Sequence, residues 1–270
     1  MFKKLVISIF KNKLLLSIII GIGLFVVYVY LLKAPDSPKE NIYVKIKLNQ
    51  GLWWVTNAKP GIWFLDSLKK GEKELDFLKR PIAELVAVRY YHQQNYDLNQ
   101  FDIYVVVKLS VDKINNRYIY KRSKIAVGAP IDLDFPSSQV TGTIVAVSST
   151  RTDNIFVERN ITLTKKFAFP WEYDAINIGD KYFDGEDNIL EITEKEAVDT
   201  GLLTTDYYGN SNPAVLEGRK FITVKAKIKL RKNINSQLIF GEEQVVKKNS
   251  FANLTTNSYV LMDFVVSDIN

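Results

Sequence analysis

Trp63-Phe64-Leu65-Asp66-Ser67-Leu68-Lys69-Lys70-Gly71-Glu72-Lys73, followed by Asp76, returns later in the chain as Trp171-Glu172-Tyr173-Asp174-Ala175-Ile176-Asn177-Ile178-Gly179-Asp180-Lys181, followed by Asp184. Trp, Asp, an aliphatic residue, Gly, an acid, Lys and a second Asp keep the same spacing in both lines. Two such lines imply a duplicated unit. The gap from Trp to Gly is about two helical turns. It predicts a short helical segment in each unit, with Trp63 and Trp171 packed inward and Gly71 and Gly179 as left-handed terminators. Asp66 with Lys73, and Asp174 with Lys181, read as a recurring ion pair or cap.

The flanking sequence reads as short strands. In the first unit, residues 42–150, apolar residues alternate over Ile42–Leu48, Ile82–Val88, Ile103–Val111, Ile131–Phe135 and Val140–Val147, with turn residues such as Asn115-Asn116 and Pro136-Ser137-Ser138 between them. That pattern predicts a small barrel or sandwich. In the second unit, residues 151–270, Pro170 suits a first helical position before Trp171. Thr193–Thr200 reads as a short helix with a Thr193/Glu196 capping box, ended by Gly201. Val105, Val107, Leu109 and Val111 fall on Val224, Ala226, Ile228 and Leu230. One extra residue enters at Asn233-Ile234-Asn235. Beyond it Tyr118 and Tyr120 fall on Leu238 and Phe240, and Ile131, Val140 and Ile144 on Phe251, Val260 and Phe264. A one-residue slip would turn every side chain to the other face, so kept parity is the test of the repeat.

Ahead of both units, residues 14–32 read LLLSIIIGIGLFVVYVYLL without a charge. At 1.5 Å per residue this spans roughly 28 Å, about the hydrocarbon thickness of a bilayer. Tyr28 and Tyr30 suit the interface at one end. The lysines before the span keep residues 1–13 in the cytoplasm and send the rest across the cell membrane. A cleaved signal peptide would have a shorter apolar run and a small-x-small site, which Leu32 and Ala34 do not provide. Residues 33–41, with Pro35 and Pro38, are a short stiff linker. The expected fold is therefore mainly β: one N-terminal transmembrane helix, then two related small barrel- or sandwich-like units with short helices.

The net charge of +6 belongs to the anchor. Residues 1–33 hold five lysines and no acid, and removing them from 36 Lys+Arg leaves 31 against 30 Asp+Glu, a net of +1. A nearly neutral ectodomain has no general attraction for phosphate backbones, so nucleic acid is not expected as a partner. Without cysteine there are no disulfides, thiol nucleophiles or iron–sulfur clusters, and His92 is the one histidine.

The order of anchor, Gly71-Glu72-Lys73, the strand opening Ile82-Ala83-Glu84-Leu85, the hairpin, and Ile125–Val147 (IAVGAPIDLDFPSSQVTGTIVAV) resembles a bacterial family of single-pass membrane proteins. Their β-rich domain has no assigned function. The likeness covers residues 14–147 best. It implies a bacterial envelope protein with a β ectodomain and brings no catalytic residues. The family usually has one unit after the span, and this chain has two. Gly71–Glu84 also looks like the entry to lipoyl-type barrel–sandwich domains, but the hairpin-tip lysine of a carrier is missing.

Other constellations are weaker. Asp184, Glu186, Asp187 and Asn188 around Gly185 have the oxygen-rich look of a calcium loop but read better as a solvated acidic turn. Asp132 and Asp134 share one strand face and read as outward charges. Trp53, Trp54 and Trp63 with Tyr90, Tyr91 and His92, on loops, form a possible aromatic platform for sugars or peptides. No phosphate loop, nucleophile elbow or metal helix is present. The expected function is a non-catalytic envelope scaffold or adaptor with a protein partner and no cofactor. The alternative is a glycan- or peptide-binding receptor using the aromatic loops.

Overall fold

The computed structural model describes residues 13–32, 39–49, 60–92, 100–151, 156–205, 207–209 and 211–270. Helix α1 (Lys13–Leu32) comes first. The first unit then contains β1 (Glu40–Asn49), the single-turn α2 (Ile62–Ser67), β2 (Lys73–Leu75), β3 (Pro81–His92), β4 (Phe101–Ile114), β5 (Arg117–Tyr120), β6 (Ser123–Ile125), β7 (Pro130–Asp134) and β8 (Gln139–Ser148). The second contains β9 (Phe156–Ala168), α3 (Pro170–Ala175), β10 (Lys181–Phe183), β11 (Asn188–Thr205), β12 (Ser211–Lys232), β13 (Leu238–Phe240), β14 (Gln244–Val246), β15 (Phe251–Thr255) and β16 (Val260–Ile269).

The repeat is real at the level of topology. The first sheet runs β2-β3-β4-β1-β8-β7, with β5 and β6 branching from β4. The second runs β10-β11-β12-β9-β16-β15, with β13 and β14 branching from β12. Both are curled, half-barrel sheets. The alternation fixes which face is buried. Ile103, Val105, Val107, Leu109 and Val111 on β4 face one core, and Ile222, Val224, Ala226, Ile228 and Leu230 on β12 face the other.

Past the hairpins the two units lose register. Ile131 and Val140 are buried, but the residues expected to match them are not: Phe251 is 68% exposed and Val260 is half-buried. Their true counterparts are Ala252 and Leu261, one residue further on. A second inserted residue causes the shift. The β5–β6 turn is Lys121-Arg122, whereas the β13–β14 turn is Gly241-Glu242-Glu243.

Three other expectations change. Thr193–Thr200 is strand, not helix, because β11 stays paired with β12 from Leu190 to Thr205 and that long ladder overrides a local capping signal. Arg89–His92 is the end of β3, not a loop. The helices end at Leu68 and Ile176, whose backbones are extended. Gly71 (φ +84°) and Gly179 (φ +90°) do take the left-handed conformation, but beyond the helices. There they let the chain turn back, so that the N–H of Gly71 donates to Leu85 and that of Gly179 to Ile192, both at 2.8 Å.

The apolar segment Lys13–Leu32 is one continuous helix. Its described side chains run from Ser17 to Tyr28, roughly 17 Å of axis. Taken over the described residues alone, no helix is long and apolar enough to cross a membrane.

Candidate functional site

The most elaborate polar cluster lies where the two units meet, and it grows from the repeated motif's final acid. In the first unit Asp76 closes the β2–β3 turn: its Oδ1 accepts the N–H of Leu78 (2.8 Å) and Arg80 (2.9 Å), and its Oδ2 accepts from Arg80 Nε (2.9 Å). Asp184 does the same in the β10–β11 turn, where its Oδ1 accepts the N–H of Glu186 (2.9 Å) and Asp187 (2.8 Å). Its Oδ2, however, has no local arginine. It reaches into the first unit, to the Arg89 guanidinium and to Tyr91 Oη at 3.2 Å. Arg89 also donates to Asp187 at 2.8 Å. Asp184 is fully buried.

β3 is receptive there for a simple reason. Its outer neighbour β2 is three residues long and pairs only with Pro81–Glu84. Beyond Leu85, which bonds Gly71 and Glu72, β3 has an open edge, which a sheet must cover or blunt. The second unit's turn covers it. The N–H of Tyr90 donates to the Asp184 carbonyl (2.8 Å) and that of Val88 to Glu186 Oε1 (3.1 Å). Tyr182 Oη donates to the Tyr90 carbonyl at 2.9 Å and receives the N–H of His92 at 3.3 Å. Lys70 pairs with Glu186 at 2.5 Å. Gly185 (φ +101°) admits this approach, since a Cβ there would collide with the Val88 carbonyl oxygen.

A second contact comes from the turn with the inserted residue. Glu242 pairs with Lys45 (3.0 Å) and with its own unit's Arg231 (3.4 Å). Glu243 pairs with Lys47 and accepts from Tyr104 Oη at 2.7 Å. Gly241 lies against the Tyr91 ring, 3.1 Å from where its Cβ would sit. Tyr91 and Tyr104 thereby join the second unit's core, beside Phe240.

The electrostatics follow from this geometry. Burial works against charge on Arg89, but its hydrogen bonds to Asp187 and Asp184 outweigh it and hold the guanidinium firmly protonated. The same arginine draws the Asp187 carboxyl below its ordinary range. Burial first, and then the Asp184 charge, push the Tyr91 hydroxyl well above its ordinary value. Tyr91 is therefore a neutral hydrogen-bond donor. The acidic turn is an interface, not the solvated turn expected, and both oxygens of Asp184 are committed within it. Among the described residues no group of three or more His, Asp or Glu is placed to hold a metal.

Part of the expected aromatic platform is closed into the fold. Trp53 and Trp54 lie outside the described residues. Tyr91 is buried in the seam, Tyr90 is half-buried against Phe101 and the second unit's turn, and His92 is half-buried between the Phe101 and Tyr182 rings. Asp132 and Asp134 point outward as expected.

The repeated tryptophans reverse expectation. Trp63 is 69% exposed and Trp171 is 60% exposed. Helices α2 and α3 are one turn long and lie outside their sheets, and the motif's aliphatic member enters each core instead: Leu68 in the first, Ile176 in the second. Trp171 stands beside Phe169, whose ring carries the Arg219 guanidinium at 3.3 Å, and meets Tyr259 edge-on. The recurring ion pairs are also different ones. Lys73 pairs with Glu84 (3.9 Å) and Lys181 with Glu191 (3.6 Å) across neighbouring strands, while Asp66 and Asp174 lie on α2 and α3.

Arg89, Lys45, Lys47, Tyr104, Tyr182, Glu242 and Glu243 carry the seam and were not singled out from sequence. One signal for them was present. At equivalent turns the first unit has Leu78-Lys79-Arg80 and Lys121-Arg122, while the second has Glu186-Asp187 and Glu242-Glu243. A sign reversal between repeats marks surfaces with different partners. Comparison of the chain with protein-family models, with curated proteins and with solved structures gave no match.

Proposed function

We propose that the chain is a membrane-anchored adaptor of the bacterial envelope: residues 14–32 span the cell membrane, the N-terminus is cytoplasmic, and the two β units present a protein-binding surface outside without catalysing a reaction. The observation that carries this reading is the pair of exposed tryptophans, Trp63 and Trp171, at equivalent places on two docked units. A large ring left in solvent at one site is unremarkable. The same ring kept in solvent at both copies of a repeat, on helices that add little to either core, fits a binding anchor, since tryptophan dominates interface energetics. The uncharged stretch of α1 and the lysines before it support the anchor. The receptor alternative has less support, because Tyr91 is closed into the seam.

The test is affinity capture from native membranes with the full chain and with a Trp63→Ala/Trp171→Ala double variant. The adaptor reading expects a partner retained by the wild type and lost by the double variant, with melting unchanged. Partners held equally by both would contradict it. Protease shaving of intact cells tests the orientation, with cleavage beyond Lys39 expected.

A further inference from the structure

We infer that the anchor-proximal end of the first unit is a lipid-contacting face, built from the tips of the β2–β3 turn and the β4–β5 hairpin and fitted to an anionic membrane surface. The inference rests on the anchor reading above. β1 starts at Glu40, opposite Val111 near the end of β4. β3 starts at Pro81, paired with Leu75, and Ala83 lies opposite Leu109, so the turn from Asp76 to Arg80 emerges at that same end. The β4–β5 hairpin turns there too, at Asn115-Asn116 beyond the Ile114–Arg117 pair. Only residues 33–38 separate α1 from the described chain at Lys39. At about 3.5 Å per residue, the seven steps from Leu32 reach at most roughly 25 Å. An anchor at residues 14–32 therefore keeps this end of the unit, which carries both tips, within roughly 25 Å of the bilayer.

Their chemistry suits that place. Phe77 is 85% exposed, with Leu75, Leu78 and Ile114 each more than half exposed around it. Basic residues outnumber acidic ones: Lys39, Lys79, Arg80, Lys113 and Arg117 against Glu40, Asp76 and Asp112. Two of the acids are already matched, Asp76 by Arg80 at 2.9 Å and Glu40 by Lys113 at 3.0 Å. Apolar tips rimmed by lysine and arginine are the form of an interfacial contact with anionic lipid. The repeat sharpens the point. The second unit's equivalent turn is also closed by its Asp but is one residue shorter, bears Glu186 and Asp187, and is buried against Arg89. The first unit's turn has Phe77-Leu78-Lys79 in place of those acids.

The chain has no cysteine, so single labels are clean. Phe77→Cys, Ile114→Cys and, as a control on the exposed β11–β12 turn of the second unit, Tyr207→Cys each carry an environment-sensitive fluorophore. The full chain is placed in vesicles of phosphatidylcholine with phosphatidylglycerol that contain a quencher in the lipid phase. Ile114→Cys leaves Phe77 in place, so loss of that ring cannot decide the outcome. The expected result is quenching at 77 and 114 severalfold above that at 207, reduced by Lys79→Glu/Arg117→Glu and by omitting the anionic lipid. Vesicles that carry the chain but quench all three labels alike would overturn the face while leaving the anchor intact. A chain that does not float with vesicles would overturn both. Shielding at 77 that follows protein concentration in detergent, rather than lipid, would mean that a second copy covers the face and would also overturn it.

Discussion

Replacing Arg89 with alanine should open the seam while leaving each half-barrel folded. The side chain makes two charge-assisted contacts across the boundary, to the buried Asp184 and, at 2.8 Å, to Asp187. Without it the Asp184 carboxyl keeps two backbone N–H groups on Oδ1 and Tyr91, at 3.2 Å, on Oδ2. Breaking one side of a buried pair costs about 3–5 kcal/mol. The remaining hydrogen bonds place this case near about 3 kcal/mol, on the order of a hundredfold in docking equilibrium. The companion variant Lys47→Ala removes a contact to the more exposed Glu243 and should cost less than about 1 kcal/mol. Calorimetry and limited proteolysis of the full chain compare the two. Arg89→Ala should split one unfolding transition into two and expose the Val88–His92 edge of β3 to protease, while Lys47→Ala should do neither. Equal, small effects would refute the claim that Asp184 and Arg89 hold the units together.

Three further outcomes follow from the same geometry. Trp63→Ala should move stability by no more than about 0.5 kcal/mol, whereas Leu68→Ala and Ile176→Ala, which empty core positions, should each cost about 2–5 kcal/mol in denaturant melts. Gly71→Ala should cost about 1–2 kcal/mol from its left-handed backbone alone, since nothing lies within 4 Å of the added methyl; Gly185→Ala should in addition undock the units, read as the same split transition as Arg89→Ala. Arg89 holds the Asp187 carboxyl below its ordinary 3.8, so its contribution is complete above that value and is lost as pH falls through the lowered one. The seam should therefore resist proteolysis equally at neutral and mildly acid pH and loosen only in strong acid.

The sequence made the repeat legible because the features that recur have a physical spacing. Alternation in β4 and β12 sets which face is buried, and the left-handed Gly71 and Gly179 are demanded by the backbone. The shared strand order of the two units bears out the repeat, although the order itself was not legible. What could not be read was context. The Thr193–Glu196 signal is local, and the β11–β12 ladder overrides it. The spacing from Trp to Gly suits a buried helix face, yet α2 and α3 stop after one turn, and Leu68 and Ile176 take the core positions. The slip that puts Ala252 rather than Phe251 opposite the core arises in a turn, where alternation carries no information. The seam depends on an open β3 edge beyond a three-residue β2, a property of the assembled sheet that no single stretch encodes.

The contacts of Arg89 with Asp184 and Asp187 fix one unit against the other and so hold Trp63 and Trp171 at one separation. Spin labels at Trp63→Cys and Trp171→Cys, in this otherwise cysteine-free chain, measure that separation directly by pulsed dipolar spectroscopy. A single narrow distance distribution that broadens on Arg89→Ala is the predicted result. A broad distribution in the parent chain would contradict it, because the two units would then be independent beads on a string.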